Sequence, residues 1–277
     1  MVTRPGRVEG KVAIVTGAGS TPGPGVGTGK ASAIVLAREG AKVVLVDIEP
    51  ERADETHQVI ADEGGEAIVM GVDATRAADC EAMVARAVDE FGHVDVLCNI
   101  GIYQGERDTG LFLDTPVEEF ARHLEGGVLA PAVLLHAILP SMIERGGGTV
   151  LNMTSFVAVN DPPGTALENG WPLAYAATKA GIDRFAGVLN VELGDRGIRA
   201  YTVDPGFVAY GDEFDAMVER YVGMPVTPRE AVAAAIVWLL SSPDAARLLH
   251  KRIYLPAIAQ KYDLLPGWNG PGTPFPQ

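Results

Sequence analysis

The 277-residue chain predicts a single α/β domain: a doubly wound parallel sheet with helices on both faces. Three observations carry that prediction. Apolar, β-branched runs alternate with longer amphipathic windows. Several of those runs are continuously apolar, which marks strands covered on both sides. A glycine-rich turn joins the first run to the first helical window.

In chain order, residues 11–17 (KVAIVTG), 42–48 (KVVLVDI), 66–73 (EAIVMGVD), 94–101 (VDVLCNIG), 148–155 (GTVLNMTS), 198–206 (IRAYTVDPG) and 252–257 (RIYLPA) read as strands. Between them, 28–39, 51–63, 77–91, 117–144, 174–195 and 229–240 read as helices. No linker or repeat interrupts the alternation, so 1–263 reads as one domain. From Leu264 onward (LLPGWNGPGTPFPQ) periodicity stops, and 264–277 reads as an extended or frayed arm.

Composition narrows the function classes. There are 22 Lys+Arg against 36 Asp+Glu, a formal charge of −14. No basic face is easily assembled from that balance, which argues against nucleic acid and anionic membranes as partners. The apolar run at 231–240 is about half of what a bilayer span needs, and the N-terminal stretch has no secretory pattern. Only Cys80 and Cys98 occur, and the five His are scattered. The expectation is a reducing, cytoplasmic setting with no metal.

The 33 glycines are in excess of the usual share of ~7%. Six of them fall at 17, 19, 23, 25, 27 and 29, between the first strand and a helix that opens near Thr28. Glycines there let backbone N–H groups approach a pyrophosphate, whose charge the helix N-terminus favours; such a sheet is of Rossmann type. The second strand ends in Asp47, 18 residues beyond Gly29. A carboxylate there accepts both ribose hydroxyls and repels a 2′-phosphate, and Ile48 stands where a phosphate would want a base. That pattern selects NAD over NADP. Its bland counterpart is an Asp47 that merely precedes the next helix.

Tyr175 and Lys179 (YAATK) are four apart in a helical window and so share a face. A tyrosine with a pKa of about 10 is a poor base at neutral pH; lowering it to ~7 takes roughly 4 kcal/mol. One ammonium ~4 Å away, at an effective dielectric near 20, supplies on the order of that amount. Such a pair can carry a proton for an alcohol oxygen while hydride moves to or from a nicotinamide.

With these motifs in place, residues 8–257 resemble the short-chain dehydrogenase/reductase family. The glycine motif appears as Thr16-Gly17-Ala18-Gly19-Ser20 and then Gly27-Thr28-Gly29, with 21–26 interposed, similar to a subgroup with lengthened, GPG-containing loops. The resemblance implies cofactor contacts at Gly17, Ser20, Gly27, Thr28, Gly29, Asp47 and Ile48. It adds Asp73 and Ala74 at the adenine, Asn99 and Gly101 of CNIG, and Tyr175 and Lys179 themselves. Pro205, Gly206 and Val208 would lie beside the nicotinamide. Ser155 is implied as the residue that orients the reacting oxygen, with Thr154 as its neighbouring alternative. A small alcohol or ketone substrate follows, as does a homodimer or homotetramer through the helices at 117–144 and 174–195.

Several departures stand out. Ser155 and Tyr175 are 20 residues apart, longer than the family's usual separation. The extra stretch, with Asn160, Glu168, Asn169 and Trp171, is either a pocket wall or a surface insertion. Gly127, beside Gly126, stands where the family carries an Asn that serves a proton relay. Two glycines within a helix cost roughly 1 kcal/mol each, so a kink or a close approach is expected there. Gly127 marks a different relay or a slow turnover, or simply leaves room for water, and His123 either substitutes in the relay or is a solvated or capping residue. Tyr210 replaces an expected Thr and either lines the pocket or packs. Leu255-Pro256-Ala257 replaces the family's DGG, and the segment between Pro205 and Arg229 is short, as fits a compact substrate. Two competing readings remain: a dehalogenase of the same fold, opposed by Gly27, Gly29 and Lys179, and a nucleotide-binding sensor or scaffold with degraded catalysis.

Overall fold

The computed structural model describes residues 6–19, 27–101, 103, 110–208 and 225–270. Seven strands form one parallel sheet: β1 (Val12–Thr16), β2 (Lys42–Asp47), β3 (Ala67–Gly71), β4 (Val96–Asn99), β5 (Gly148–Met153), β6 (Ile198–Asp204) and β7 (Arg252–Tyr254). Their order is β3-β2-β1-β4-β5-β6-β7. The order reverses between β1 and β4, and a crevice for ligands opens outside the carboxyl ends of the strands at such a point.

The described helices are α1 (Thr28–Arg38), α2 (Asp54–Asp62), α3 (Ala77–Phe91), α4 (Val117–Leu124), α5 (Ala130–Glu144), α6 (Leu173–Asp183), α7 (Phe185–Leu193), α8 (Arg229–Ser241) and α9 (Leu255–Lys261). Strand alternation sorts the core into two layers. Ala13 and Val15 of β1 pack with Ala33 and Leu36 of α1 and with Ala235 and Ile236 of α8. Ile14, on the opposite face, packs with Met83 of α3 and with Leu134 and Ile138 of α5. Every residue of β1 is buried, which explains its unbroken apolar run.

Three local expectations are corrected. The helix expected at 117–144 is interrupted at the paired glycines by a π turn, Glu125–Leu129, that separates α4 from α5. By length and composition this stretch is long and apolar enough to cross a membrane, which an argument drawn only from 231–240 overlooks. In this fold Leu134, Leu135, Ile138, Leu139 and Met142 bury one side of α5 in the second core layer. The strand expected at 252–257 stops at Tyr254, because Leu255 opens α9 with Pro256 in its first turn, where a missing N–H costs nothing. Beyond α9, Leu264, Leu265 and Trp268 pack against the first core layer without any periodic signal.

Candidate active site

The crevice is built from interlocking glycines. Gly17 follows β1 at φ +64°, and a Cβ on it would lie 2.8 Å from Gly101 Cα. A Cβ on Gly29, in the first turn of α1, would lie 2.0 Å from the Gly17 carbonyl oxygen. β1, β4 and α1 therefore meet here only as bare backbone. The Thr16 hydroxyl accepts from the Ile100 and Gly101 amides at 2.9 and 3.0 Å, a bracing role that the sequence reading missed. Asn99, buried beside it, donates to Asn152 Oδ1 at 3.2 Å and so ties β4 to β5.

Gly27 differs from its neighbours: a Cβ there would meet nothing nearer than 3.7 Å, so the described protein atoms do not require a glycine. It precedes α1, whose N-terminus at Thr28 has no side-chain cap among the described residues and no acidic residue in its first turn. Lys30, one residue past Gly29, is buried and ion-paired with Glu55 at 2.7 Å. Asp47 sits at the end of β2, its Oδ2 accepting from Gly19 N at 3.1 Å and its Oδ1 from Glu49 N at 3.2 Å. Ile48 beside it is 68% exposed. The nearby Arg52 is ion-paired with Glu49 at 2.6 Å. Asp73, half-buried just before Ala74, accepts from the Thr75 amide and hydroxyl at 3.0 and 2.7 Å. Ser20, the interposed loop 21–26 and Tyr210 lie outside the described residues, as does most of the segment between Pro205 and Arg229.

On the other side of the crevice, α6 brings Tyr175 and Lys179 to the end of β5. Lys179 is buried; its ammonium donates to the Met153 carbonyl at 3.0 Å and lies 5.9 Å from the centre of the Tyr175 ring. Ser155, two residues past Met153, is buried in extended backbone at the head of a short 3-10 turn, Phe156–Ala158. The Thr154 hydroxyl is committed elsewhere, donating to the Lys179 carbonyl at 3.1 Å. Thr154 thus fastens α6 to β5.

The stretch between Ser155 and Tyr175 is largely self-contained. Asn160 donates to the Phe156 carbonyl at 2.7 Å, and Glu168 accepts from the Thr165 amide and hydroxyl. Asn160, Glu168 and Asn169 are exposed. Trp171 turns inward, edge-on to Phe156 with ring centres 5.3 Å apart.

The paired glycines are accounted for by close approach. A Cβ on Gly127 would lie 2.0 Å from Thr178 Cγ2, and one on Gly126 would lie 2.4 Å from Tyr103 Cβ. The space beside Gly127 is therefore filled by Thr178 and not left for water. His123, one turn earlier, is 2% exposed, which rules out the solvated alternative. Its ring stacks edge-on with Tyr103 and lies 3.6 Å from a Glu119 carboxylate oxygen. Burial holds its pKa below the ordinary imidazole value, against the pull of Glu119.

At the far end, Pro205, Gly206 and Val208 follow β6. Gly206 adopts φ +73°, and Thr227, Tyr254 and Pro256 crowd the position of its missing Cβ. Asp204 is buried, accepts from the Gly206 amide at 2.9 Å and pairs with Arg252 at 3.0 Å. Burial pushes its carboxyl up, while Arg252 draws it down. No motif marked Arg252 or Asp183 beforehand. Among the described residues, no group of three or more His, Cys, Asp or Glu is placed to hold a metal.

A sheet of this order, with bare backbone at its switch point, defines a dinucleotide-binding α/β protein. The model of the short chain dehydrogenase family matches residues 11–217, and the chain belongs to that oxidoreductase family. It is 34% identical over 209 residues to a short chain dehydrogenase of Pseudocercospora fijiensis, covering 73% of this chain and 61% of that one. It is 32% identical over 200 residues to the 2,5-dichloro-2,5-cyclohexadiene-1,4-diol dehydrogenase LinX of Sphingobium indicum, covering 72% and 74%. Among solved structures it resembles a 7α-hydroxysteroid dehydrogenase complexed with NADH and 7-oxo glycochenodeoxycholic acid. That likeness has a TM-score of 0.75 and 27% identity, over 92% of this chain and 96% of the other.

Proposed function

We propose that the protein is an NAD(H)-dependent oxidoreductase that interconverts a secondary alcohol and a ketone. The placement of Lys179 carries the reading: a buried ammonium, anchored to the Met153 carbonyl and facing Tyr175, beside Ser155 at the end of β5. Tyr175 moves the proton of the reacting oxygen, Lys179 favours its phenolate and binds ribose, and Ser155 hydrogen-bonds that oxygen. An ammonium ~4–6 Å from a phenolate supplies on the order of 3–4 kcal/mol at an effective dielectric near 20. When bound, the nicotinamide supplies the hydride acceptor or donor and, in its oxidised form, a positive charge that further favours the phenolate.

The residues present suit that group. Gly27 and the uncapped N-terminus of α1 with Thr28 and Gly29 offer a pyrophosphate cradle. Asp47 would accept the ribose hydroxyls, and neither the exposed Ile48 nor Arg52, held by Glu49, supplies a free cation for a 2′-phosphate. Asp73 and Ala74 would flank adenine, with Pro205, Gly206 and Val208 at the nicotinamide. Two of the relatives are named for ring-bearing substrates, a cyclohexadiene diol and a bile acid, which supports a ring-bearing secondary alcohol. Exposed Val117, Leu129, Val188 and Val191 on α4 to α7 suit the pairing face of a homodimer or homotetramer. Two buried free cysteines suit a reducing cytoplasm.

The test is reduced-nicotinamide absorbance with NAD or NADP and a panel of cyclic secondary alcohols. Turnover is expected with NAD, and Tyr175→Phe is expected to abolish it while leaving NAD affinity within about threefold, since the proton carrier is lost while the other cofactor contacts remain. Activity that survives that change overturns the assignment. A second reading, a nucleotide-binding sensor, draws on the filled space at Gly127; clear NAD binding without turnover on any alcohol would favour it.

A further inference from the structure

We infer that Arg252 is a positioning residue that holds Ser155 in place by tying its carbonyl to two buried carboxylates, Asp183 and Asp204. The inference rests on the role given to Ser155 above. Its Nε donates to Asp183 Oδ1 at 3.2 Å, and its Nη2 reaches Asp204 Oδ2 at 3.0 Å and also donates to the Ser155 carbonyl. These acceptors lie at or just past the ends of three separate elements. Ser155 follows β5, Asp183 is the last residue of α6, which carries Tyr175 and Lys179, and Asp204 is the last residue of β6, before Pro205 and Gly206. One planar guanidinium, with five donors in a fixed fork, serves all three at once.

Ser155 needs such a holder. The β5–β6 ladder ends at the Thr154 amide, which donates to the Val203 carbonyl at 2.8 Å, so the Ser155 carbonyl lies beyond the sheet. That carbonyl also accepts from the Ala158 amide at 2.9 Å, the bond that closes the 3-10 turn. Arg252 thus grips the first acceptor of the turn that Ser155 heads. The charge balance fits the role. The Asp183 and Asp204 side chains are 5% and 4% exposed, and Arg252, itself 25% exposed, is the guanidinium between them. Arg184 meets Asp183 from the solvent side at 2.8 Å. β7 begins at Arg252, in register with Thr202 of β6, so the strand that departs from the family's usual ending supplies the grip.

Removing Arg252 alone strands two buried carboxylates, so the decisive variant is Arg252→Met with Asp183→Asn and Asp204→Asn, which removes the charges together. The readouts are amide exchange of Ala158 in the NADH-saturated protein, and kcat and KM with an alcohol from the panel. We expect Ala158 to exchange about tenfold faster or more, and kcat to fall about 10- to 100-fold, as misplacement by about 1 Å does. NADH affinity and Tm should change little. Guanidinium ion added to Arg252→Ala should restore part of the exchange protection. Ala158 exchange equal to wild type in the triple variant overturns the inference, whatever kcat does. The exchange arm needs no turnover, so inactivity on every alcohol would count against the proposed function and leave this result readable.

Discussion

Gly127 and Thr178 share a space that holds only one methyl group: a Cβ at 127 would lie 2.0 Å from Thr178 Cγ2. The π turn between α4 and α5 is therefore seated on the residue just before Lys179. The Thr178 hydroxyl completes the seat by donating to the His123 carbonyl at 3.1 Å. Gly127→Ala is expected to cost about 1–3 kcal/mol through overpacking. Adding Thr178→Ser removes the methyl, keeps the hydroxyl, and should recover most of that loss. Urea unfolding of both single variants and the double variant measures the coupling; strictly additive losses would refute the steric account.

Asp47 is the residue on which cofactor preference should turn. Asp47→Ala removes a charged acceptor for ribose, a loss of about 1.5–3 kcal/mol, or roughly 10- to 100-fold. The kcat/KM ratio for NAD over NADP should fall by that factor. An unchanged ratio would remove Asp47 from the ribose site.

His123 should shape the acid limb of stability. Its pKa is lowered in the folded protein by burial, so the unfolded chain binds a proton more readily. The contribution is fully present above the unfolded value near 6.5 and is lost as pH falls below it toward the folded value. His123→Asn should flatten the fall in urea midpoint between pH 7 and pH 5. An unaltered slope would show that the ring gains its proton as freely in the fold as out of it.

The two thiols should be silent in the native state. Burial pushes Cys98 up to about 12, and burial with the charges of Asp79, Asp73 and Glu81 pushes Cys80 up to about 11. Reaction with a disulfide reagent at pH 8 should be slow for both and should become fast on unfolding. A rapid native-state reaction of either would contradict the packing around it.

How much of this was legible beforehand depends on how local each signal is. The helix over 77–91 coincides with α3, whose apolar spacing and Gly92 terminus are both written in adjacent residues. The glycines at 126 and 127 signalled a kink or a close approach, yet not the partner, because Thr178, which fills the space at Gly127, lies on another helix. The end of β7 was misread because Leu255-Pro256-Ala257 is as apolar as a strand, while Pro256 suits the first turn of α9.

By itself the sequence determined the layered sheet, the glycine-lined turn, the Asp at the end of β2 and the Tyr–Lys pair on one helix face. Each follows from periodicity or from spacing within a few residues. Only the tertiary structure decided that Thr154 faces away, that Thr178 fills the space at Gly127, and that Arg252 reaches the Ser155 carbonyl across 97 residues of chain. Those relationships depend on strand order and on helix seating. They arise from side chains that meet only after the sheet is assembled, so no spacing along the chain records them.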